Sequence, residues 1–415
     1  MHQMKINILL VVLGLALNHQ NVISQNSTKA NSNAFQNLAQ DIQVNANYTQ
    51  GNWQPVLHAI DSKSMVLLGE LNHGSKEIFI TRNELIQELH QQLNFDVILF
   101  ESGLGEIGTI ESQKDTLNSK DMTNGFFWGW RNKPFEELMQ YAKNNNISVA
   151  GFDVQKTGRN FSNLLTHYLN EQSIDNPIFD NIEQRFDAQK QLLTNRKAAY
   201  DSLKTTTKHL IDDYKSLSED IQKVSNNSKT YDKQLIKRTI ENRIQYLKYF
   251  LDFTKTKDYN KRWKERDSMM AANVEWLMDT FYKDKKVILV AHNFHIAKFN
   301  TKEDVMGEFL AHKQGSEMYV LGVFAGSGSF ANNSGKETAM KPIEHTGTDI
   351  KSLIGSLDGK VNFIDIPKEE TTATGVFFQP IIINDTFIDL YGTNQLILSK
   401  HFDGLLLLDK ISPPE

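Results

Sequence analysis

The chain has 415 residues, of which 40% are hydrophobic, 10% aromatic and 23% charged. This composition is typical of a soluble globular protein of two or three structural units, and it excludes a disordered chain, a collagen-like repeat and a multi-pass membrane protein. The formal charge of -5 argues against a nucleic-acid-binding protein, and the absence of cysteine excludes disulfides, thiol nucleophiles and thiolate zinc sites.

The first 24 residues have the pattern of a secretory signal peptide. Lys5 supplies the positive charge, and residues 6–17 form an apolar run that is short for a membrane-spanning helix. The sequence predicts cleavage before Gln25 and a flexible lead-in over residues 25–45. We therefore expect a periplasmic or secreted protein with no stable membrane anchor after cleavage.

Strands and helices alternate in the next part of the chain, residues 46–175. Short apolar strands are predicted over residues 64–69, 96–100 and 147–152, with an amphipathic helix over residues 82–93. Continuous apolar strands separated by helices indicate a mainly parallel sheet with helices on both faces. This segment is predicted to be the first part of an α/β core.

Residues 176–265 are predicted to form an inserted helical bundle. No glycine occurs between Gly158 and Gly307, and apolar residues recur at helical spacing over residues 203–224 and 236–251. The pattern predicts two long antiparallel helices joined by a turn over residues 226–229. Such a hairpin can cap a pocket or form the interface of a homo-oligomer.

The remaining residues, 266–415, are predicted to complete the α/β core and to add a smaller α+β portion. Arg266 and Asp267 are expected to begin a helix, where an interhelical ion pair or a cap is the simplest role for them. The apolar pattern predicts strands over the following ranges: 286–290, 318–324, 361–366, 377–383 and 404–411.

Polar residues follow four of the predicted strands, each at the carboxyl end. Ligands of open parallel sheets bind in the crevice outside these ends. A single buried Glu or His is most often structural, but the same residue types at four strand ends indicate one shared site. The residues are Glu70, Asn72 and His73 after the first strand, Glu101 after the second, Asp153 after the third, and His292 and His295 after the fourth.

Several of these segments resemble the erythromycin esterase family, in the family's order and over nearly the whole mature chain. The match begins with residues 68–75 (LGELNHGS), Arg82 and Glu101. It continues through residues 151–155 (GFDVQ), Arg266-Asp267 with Met270, Asn273 and Trp276, residues 291–295 (AHNFH), residues 324–330 and residues 402–405. The resemblance implies an α/β core interrupted by a helical bundle, with a smaller α+β portion, and an esterase activity. We expect no cofactor.

The resemblance also implies roles for individual residues. His73 would be the general base that activates water for hydrolysis of an ester or lactone, and Glu70 or Glu101 would orient it. His292 or Arg82 would stabilise the developing oxyanion. Asn72, Asp153 and His295 are expected to be polar substrate-binding groups of the pocket, and Trp130 is expected either to line the pocket as a substrate-binding residue or to pack in the core.

Two departures from the family pattern concern the substrate. Leu71 and Asn72 stand where the family often has Ala-Thr, and Val290 stands where a Trp is common. These positions face the expected pocket. They therefore put a macrolide substrate in doubt more than the reaction type. The expected substrate is a small-molecule ester or lactone.

The sequence contains few motifs of other enzyme classes. No Gly-x-Ser-x-Gly nucleophile elbow or phosphate loop occurs, and the Gly-x-Gly-x-x-Gly match at residues 103–108 is interpreted as a flexible turn, because Glu101 and Glu106 would repel a pyrophosphate. Two alternatives stay open. One is a divalent-metal-dependent hydrolase with Glu70, His73, Glu101 and His292 as ligands, and the other is a non-enzymatic periplasmic ligand- or haem-binding protein.

Overall fold

The computed structural model describes residues 31–414 except residues 196, 198, 225–229, 302, 342–347 and 384–394. The predicted signal peptide and the turn predicted over residues 226–229 lie outside the described residues. Residues 31–38 are helical, and Phe35 and Ile42 are fully buried, which differs from the flexible lead-in predicted for this segment. Within the described ranges, no helix is long and apolar enough to cross a membrane.

The strands of the described chain confirm most of the apolar runs. They are β1 (Gln40–Asp41), β2 (Met65–Leu68), β3 (Phe95–Gly103), β4 (Ser148–Asp153), β5 (Lys286–Val290), β6 (Met318–Ala331), β7 (Glu337–Ala339), β8 (Val361–Asp365), β9 (Pro380–Ile382), β10 (Gln395–Ile397) and β11 (Gly404–Ile411).

The main sheet has the order β1-β8-β11-β6-β2-β5-β3-β4, and β7 pairs with β6. The six strands from β11 to β4 in this order run parallel to one another, whereas β8 is antiparallel to both β11 and β1, and β7 is antiparallel to β6. The predicted mixed α/β fold with a mainly parallel sheet is therefore confirmed. β9 and β10 form a separate two-stranded sheet.

After the helical residues 31–38, the described chain has the α-helices α1 (Gln54–Ile60), α2 (Lys76–Leu93), α3 (Leu104–Ser112), α4 (Ser119–Met122), α5 (Lys133–Asn144), α6 (Asn160–Glu171), α7 (Ile182–Thr194), α8 (Tyr200–Lys223), α9 (Thr230–Thr256), α10 (Tyr259–Thr280), α11 (Asn293–Ile296), α12 (Met306–Gln314), α13 (Ile350–Gly355) and α14 (Leu398–His401).

Both faces of the sheet are covered, as the strand pattern predicted. Successive side chains of a strand point to opposite faces, so Leu67 and Leu289 pack into one core with Val274 of α10, while Val66 and Ile288 pack into the other. The second core also contains apolar side chains of α1, α2 and α5. This arrangement fixes the carboxyl ends of the central strands in one row.

A third core belongs to the helical insertion. Apolar side chains of α6, α7, α8 and α9 pack together, including Phe186, Tyr214 and Tyr246. The two long helices predicted here are confirmed as α8 and α9, which pack against each other. α10 begins at Tyr259 rather than at Arg266, because Asp258 accepts a hydrogen bond from the backbone N–H of Lys261 and caps the helix there.

The interpretation of residues 103–108 as a flexible turn is wrong, because Leu104–Ser112 is helix α3. A Cβ atom at Gly105 would lie 2.6 Å from Thr239 of α9 and 2.9 Å from the ring of Phe161. A Cβ atom at Gly108 would lie 2.4 Å from Leu235 of α9. These glycines therefore allow α3 to pack closely against the insertion.

Candidate active site

The loop between β2 and α2 carries the first group of predicted site residues. The side-chain oxygen of Asn72 accepts hydrogen bonds from the backbone N–H of Gly74 at 3.0 Å and from the hydroxyl of Ser75 at 2.7 Å. These bonds close a turn over residues 72–75, which contains His73. Asn72 thus shapes the loop that presents His73.

Glu70 and His73 form a hydrogen-bonded pair at the end of β2. Nδ1 of His73 lies 2.5 Å from Oε1 of Glu70. The other carboxylate oxygen accepts a hydrogen bond from Arg82 at 2.7 Å, and the indole N–H of Trp130 donates to Oε1 at 3.1 Å. Glu70 is 1% exposed, whereas the side chain of His73 is 23% exposed. His73 is therefore the member of the pair that solvent can reach.

The electrostatics of the pair keep Glu70 ionised and favour protonation of His73. Burial opposes ionisation of Glu70, but the charges of Arg82 and His73 hold its pKa below the ordinary value. Burial also opposes protonation of His73, yet the hydrogen bond and charge of Glu70, with the charge of Glu101, raise its pKa. A carboxylate that accepts from Nδ1–H leaves Nε2 as the proton-accepting nitrogen.

His292 follows β5 and lies next to His73, with ring centroids 5.9 Å apart. Its Nε2 lies 2.8 Å from the carbonyl oxygen of Leu71, which can only accept, so Nε2 carries the proton. Its Nδ1 accepts from the backbone N–H of Phe294 at 3.2 Å. Burial and the neighbouring His73 lower the pKa of His292 to about 4, so His292 is neutral at physiological pH.

Glu101 and Asp153, at the ends of β3 and β4, share one arginine. Arg266 donates to Oε1 of Glu101 at 2.9 Å and to the two oxygens of Asp153 at 3.2 and 2.7 Å. The other oxygen of Glu101 accepts the backbone N–H of His292 at 3.0 Å. Although burial opposes its ionisation, the charges of His295, Arg266 and His73 hold the pKa of Glu101 well below its usual range.

His295 forms a second carboxylate–histidine pair, with Asp267 of α10. Nδ1 of His295 lies 2.5 Å from Asp267, and Nε2 lies 3.3 Å from Glu101. Burial opposes protonation of His295, but the charges of Asp267 and Glu101 raise its pKa. His295 is 5% exposed and Asp267 is fully buried, so this pair lies behind Glu101.

The predicted site residues come together, but several of them contact other protein groups rather than open space. Arg82 is 3% exposed, binds Glu70 and stacks on Phe79 and Trp130. Trp130 is fully buried among aromatic rings and donates to Glu70, which agrees with the predicted core packing and not with a substrate contact. Asp153 is likewise 1% exposed. These three side chains support the site from behind.

The sequence predicts an interhelical ion pair or a cap for Arg266 and Asp267, whereas the structure places both among the charged groups at the strand ends. The residues that Arg266 binds, Glu101 and Asp153, are more than a hundred positions away in the sequence. The only available signal was their place within the matched family segments. The distance in sequence hid the contact itself.

The candidate metal ligands are engaged with one another or with cationic groups. Among the residues that the structure describes, no group of three or more His, Asp or Glu side chains is arranged to hold a metal ion. Oxygens of Glu70 and Glu101 accept from arginines, and both ring nitrogens of His292 have protein partners. What remains accessible is an imidazole oriented by a buried carboxylate, which is an arrangement for general-base chemistry.

The sequence and the fold were compared with known proteins. A family model described as erythromycin esterase matches residues 90–411. A protein of Bacillus subtilis (strain 168) described as "Putative hydrolase YbfO" is 26% identical over 388 residues, which cover 85% of each chain. Erythromycin esterase type II of Escherichia coli is 24% identical over 400 residues, which cover 88% of this chain and 93% of that protein.

A solved structure gives the corresponding result for the fold. The erythromycin esterase EreC, crystallised as a mutant in its open conformation, superposes with a TM-score of 0.58 at 15% sequence identity. The superposition covers 88% of this chain and 95% of that one. At 15% identity this similarity shows only that the fold is shared. The evidence from sequence is the match to the family model.

Proposed function

This chain belongs to the erythromycin esterase family, and from that premise we propose that it is an exported hydrolase that cleaves a carboxylic ester or lactone with water activated by His73. Membership of the family, together with the hydrolase and esterase names of its relatives, makes the chain an ester-hydrolysing enzyme. The observation that carries the finer proposal is the pair of a buried Glu70 and a partly exposed His73, joined at 2.5 Å.

The pair supports a direct attack of water. Nδ1–H of His73 donates to Glu70, so Nε2 accepts a proton from a water molecule while the water oxygen bonds to the carbonyl carbon. The imidazolium that forms is stabilised by the Glu70 carboxylate. When the C–O bond of the tetrahedral intermediate breaks, that proton passes to the leaving alkoxide, and the products are a carboxylic acid and an alcohol, or a hydroxy acid from a lactone.

Two further groups hold the base in place. Arg82 and Trp130 bind the two oxygens of Glu70, which prevents the carboxylate from rotating away from His73. Leu71 accepts from Nε2–H of His292, so this N–H has to turn from the Leu71 carbonyl before it can donate to an oxyanion. Of the two expected oxyanion donors, His292 is partly exposed beside His73, whereas Arg82 is 3% exposed and lies behind Glu70.

Export and the substrate class are supported by different observations. The apolar run over residues 6–17 after Lys5 supports export. Leu71 and Val290, two positions where the family pattern differs, are buried in the apolar core and do not face a pocket as the sequence predicted, so the substrate class rests on family membership. We therefore propose a small-molecule ester or lactone that meets the enzyme outside the cytoplasm.

A substrate panel tests this proposal. The purified mature protein is incubated with macrolides, simple lactones and acyl esters, with and without a chelator, and acid release is measured. We expect hydrolysis of at least one ester or lactone at a rate that the chelator leaves unchanged. Absence of hydrolysis across the panel would overturn the proposal, and activity that a chelator abolishes and a divalent metal restores would favour the metal-dependent alternative.

A further inference from the structure

Arg266 lies among the charged groups at the strand ends, although it belongs to no strand of the sheet. α10 carries it from the helical insertion back to the α/β core, and the residue is 6% exposed. Its guanidinium contacts Glu101, Asp153 and His295 within 3.2 Å. The direct water attack described above assigns no role to this arginine.

We propose that Arg266 is a positioning residue of the hydrolytic site: it binds Glu101 and Asp153 together, fixes the Glu101 carboxylate on the backbone N–H of His292, and thereby holds His292 beside His73. This inference rests on the proposed role of His73 as the base. It adds that Arg266, a side chain of α10, determines the surroundings of His73.

The geometry leaves Glu101 little freedom. Arg266 takes Oε1 at 2.9 Å, and the backbone N–H of His292 takes Oε2 at 3.0 Å, so rotation of the carboxylate breaks one of the two bonds. Asp153 accepts from Nε of Arg266 and from the same Nη2 that donates to Glu101, so the two carboxylates lie side by side on the guanidinium. An arginine suits this task because its planar fork can bind two carboxylates at fixed angles, which a lysine cannot do.

The charges add a second effect on His73. The groups that face His73 are Glu70 from its own loop, Glu101 from β3, Arg266 from α10 and the neutral His292 after β5. Burial and Arg266 lower the pKa of His73, whereas Glu70 and Glu101 raise it. When the positive charge of Arg266 is removed, only burial still opposes the effect of Glu70 and Glu101 on His73. The pKa of His73 should therefore rise.

The test compares Arg266→Gln, which removes the charge, with Arg266→Lys, which keeps it. The titration midpoint of His73 is measured by NMR of histidine-labelled full-length mature protein, with the signal assigned from His73→Ala. We expect Arg266→Gln to raise the midpoint by about half a pH unit or more, and Arg266→Lys to shift it less. At pH 7, kcat should fall about tenfold or more in Arg266→Gln, with KM within about twofold and partial recovery in Arg266→Lys.

Arg262→Gln is the matched control. It removes one positive charge from the same helix, where Arg262 stacks on Phe253 and Trp263 and makes no contact with Glu101 or Asp153 among the described interactions. We expect this variant to leave both the His73 midpoint and kcat at the wild-type values.

A second pair of variants covers the case in which Arg266→Gln does not fold. The double variant Arg266→Gln/Asp153→Asn removes the buried ion pair as a unit, and its His73 midpoint should lie above that of Asp153→Asn alone. Equal midpoints in this pair, or a folded Arg266→Gln with the wild-type midpoint and kcat, would overturn the inference. The titration can be measured without turnover, so it tests the role of Arg266 alone. If the proposed hydrolysis is wrong, the wild type forms no product, and this is observed in a separate assay.

Discussion

His73 should give the enzyme a pH dependence that differs from that of a free histidine. The carboxylates of Glu70 and Glu101 raise its pKa above the ordinary value of 6.5, although burial opposes this. Below its pKa the imidazole is protonated and cannot accept a proton from water, so activity is lost as the pH falls through that value. We expect the acid limb of the kcat/KM profile to have a midpoint above 6.5.

Glu70→Gln should move that limb in a defined direction. Loss of the negative charge lowers the proton affinity of His73, so the midpoint shifts to lower pH, and loss of the oriented tautomer lowers kcat by about a hundredfold or more. Glu136→Gln is the control, because Glu136 interacts with Lys133 away from the site. A Glu70→Gln profile with the wild-type midpoint would contradict the assignment of the pair.

Trp130→Phe isolates one hydrogen bond. The substitution keeps an aromatic ring among Phe100, Phe126 and Phe135 but removes the N–H that donates to Glu70. We expect kcat to fall about tenfold and the free energy of unfolding to fall by about 1–2 kcal/mol. Steady-state kinetics and urea unfolding measure the two effects. Trp276→Phe, in α10, is the matched change outside the site, and an equal kcat in both variants would refute the role of Trp130.

At the scale of elements, the sequence predicted the strands better than the connections between them. β5 (Lys286–Val290) and β11 (Gly404–Ile411) have the predicted bounds, because continuous apolar runs are the signal of strands buried on both faces. Helix α3 was missed because Gly105 and Gly108 usually mark turns. Their function is tertiary, since they allow contact with α9, and a contact of this kind leaves no local pattern.

Gly105→Ala tests that contact. The added methyl group would meet Thr239 and Phe161, both buried, at less than 3 Å. Overpacking of this kind costs about 1–3 kcal/mol of stability, although alanine favours a helix. Gly355→Ala is the control, because nothing lies within 4 Å of its added Cβ, so this variant should be neutral or slightly stabilised. Denaturant unfolding that shows equal stability for both variants would contradict the close packing of α3 and α9.

At the scale of the whole molecule, a buried ion network joins the insertion to the core. Arg243 of α9 binds Glu106 of α3 at 3.0 Å and Glu183 of α7 at 3.2 Å. Lys156, which follows β4, binds Glu183 at 3.1 Å. Burial opposes ionisation of Glu183, but the charges of Arg243 and Lys156 lower its pKa to about 2.

This network makes a prediction about acid stability. The carboxyl of Glu183 has a lower pKa in the folded protein than in the unfolded chain, where the value is about 4.3. Ionised Glu183 therefore stabilises the folded state above about pH 4.3, and this stabilisation is lost as the pH falls towards about 2. Glu183→Gln should therefore be less stable than the wild type at pH 7 by about 2–3 kcal/mol, and the difference should shrink between pH 4.5 and 2. Urea unfolding across this range measures it, with the exposed Glu219→Gln as control. A difference that stays constant with pH would contradict the assignment.

The assembled site shows where prediction from the sequence ended. The rule that parallel strands end at one edge was enough to bring Glu70, Glu101 and Asp153 together. It did not indicate that Arg266 arrives from the insertion to bind two of them, because that contact depends on how α10 packs against the sheet. Trp130 was predicted as a residue of the site, but its hydrogen bond to Glu70 required the packing of the aromatic core.

The most direct test of the central claim is the activity of His73→Ala on an ester or lactone that the wild type hydrolyses. Circular dichroism and the urea midpoint confirm that the variant is folded, and kcat/KM is then measured at the pH optimum of the wild type. Loss of the general base should lower kcat/KM by about a hundredfold or more. A folded His73→Ala protein that retains kcat/KM within about threefold of the wild type would contradict the claim that His73 activates the water.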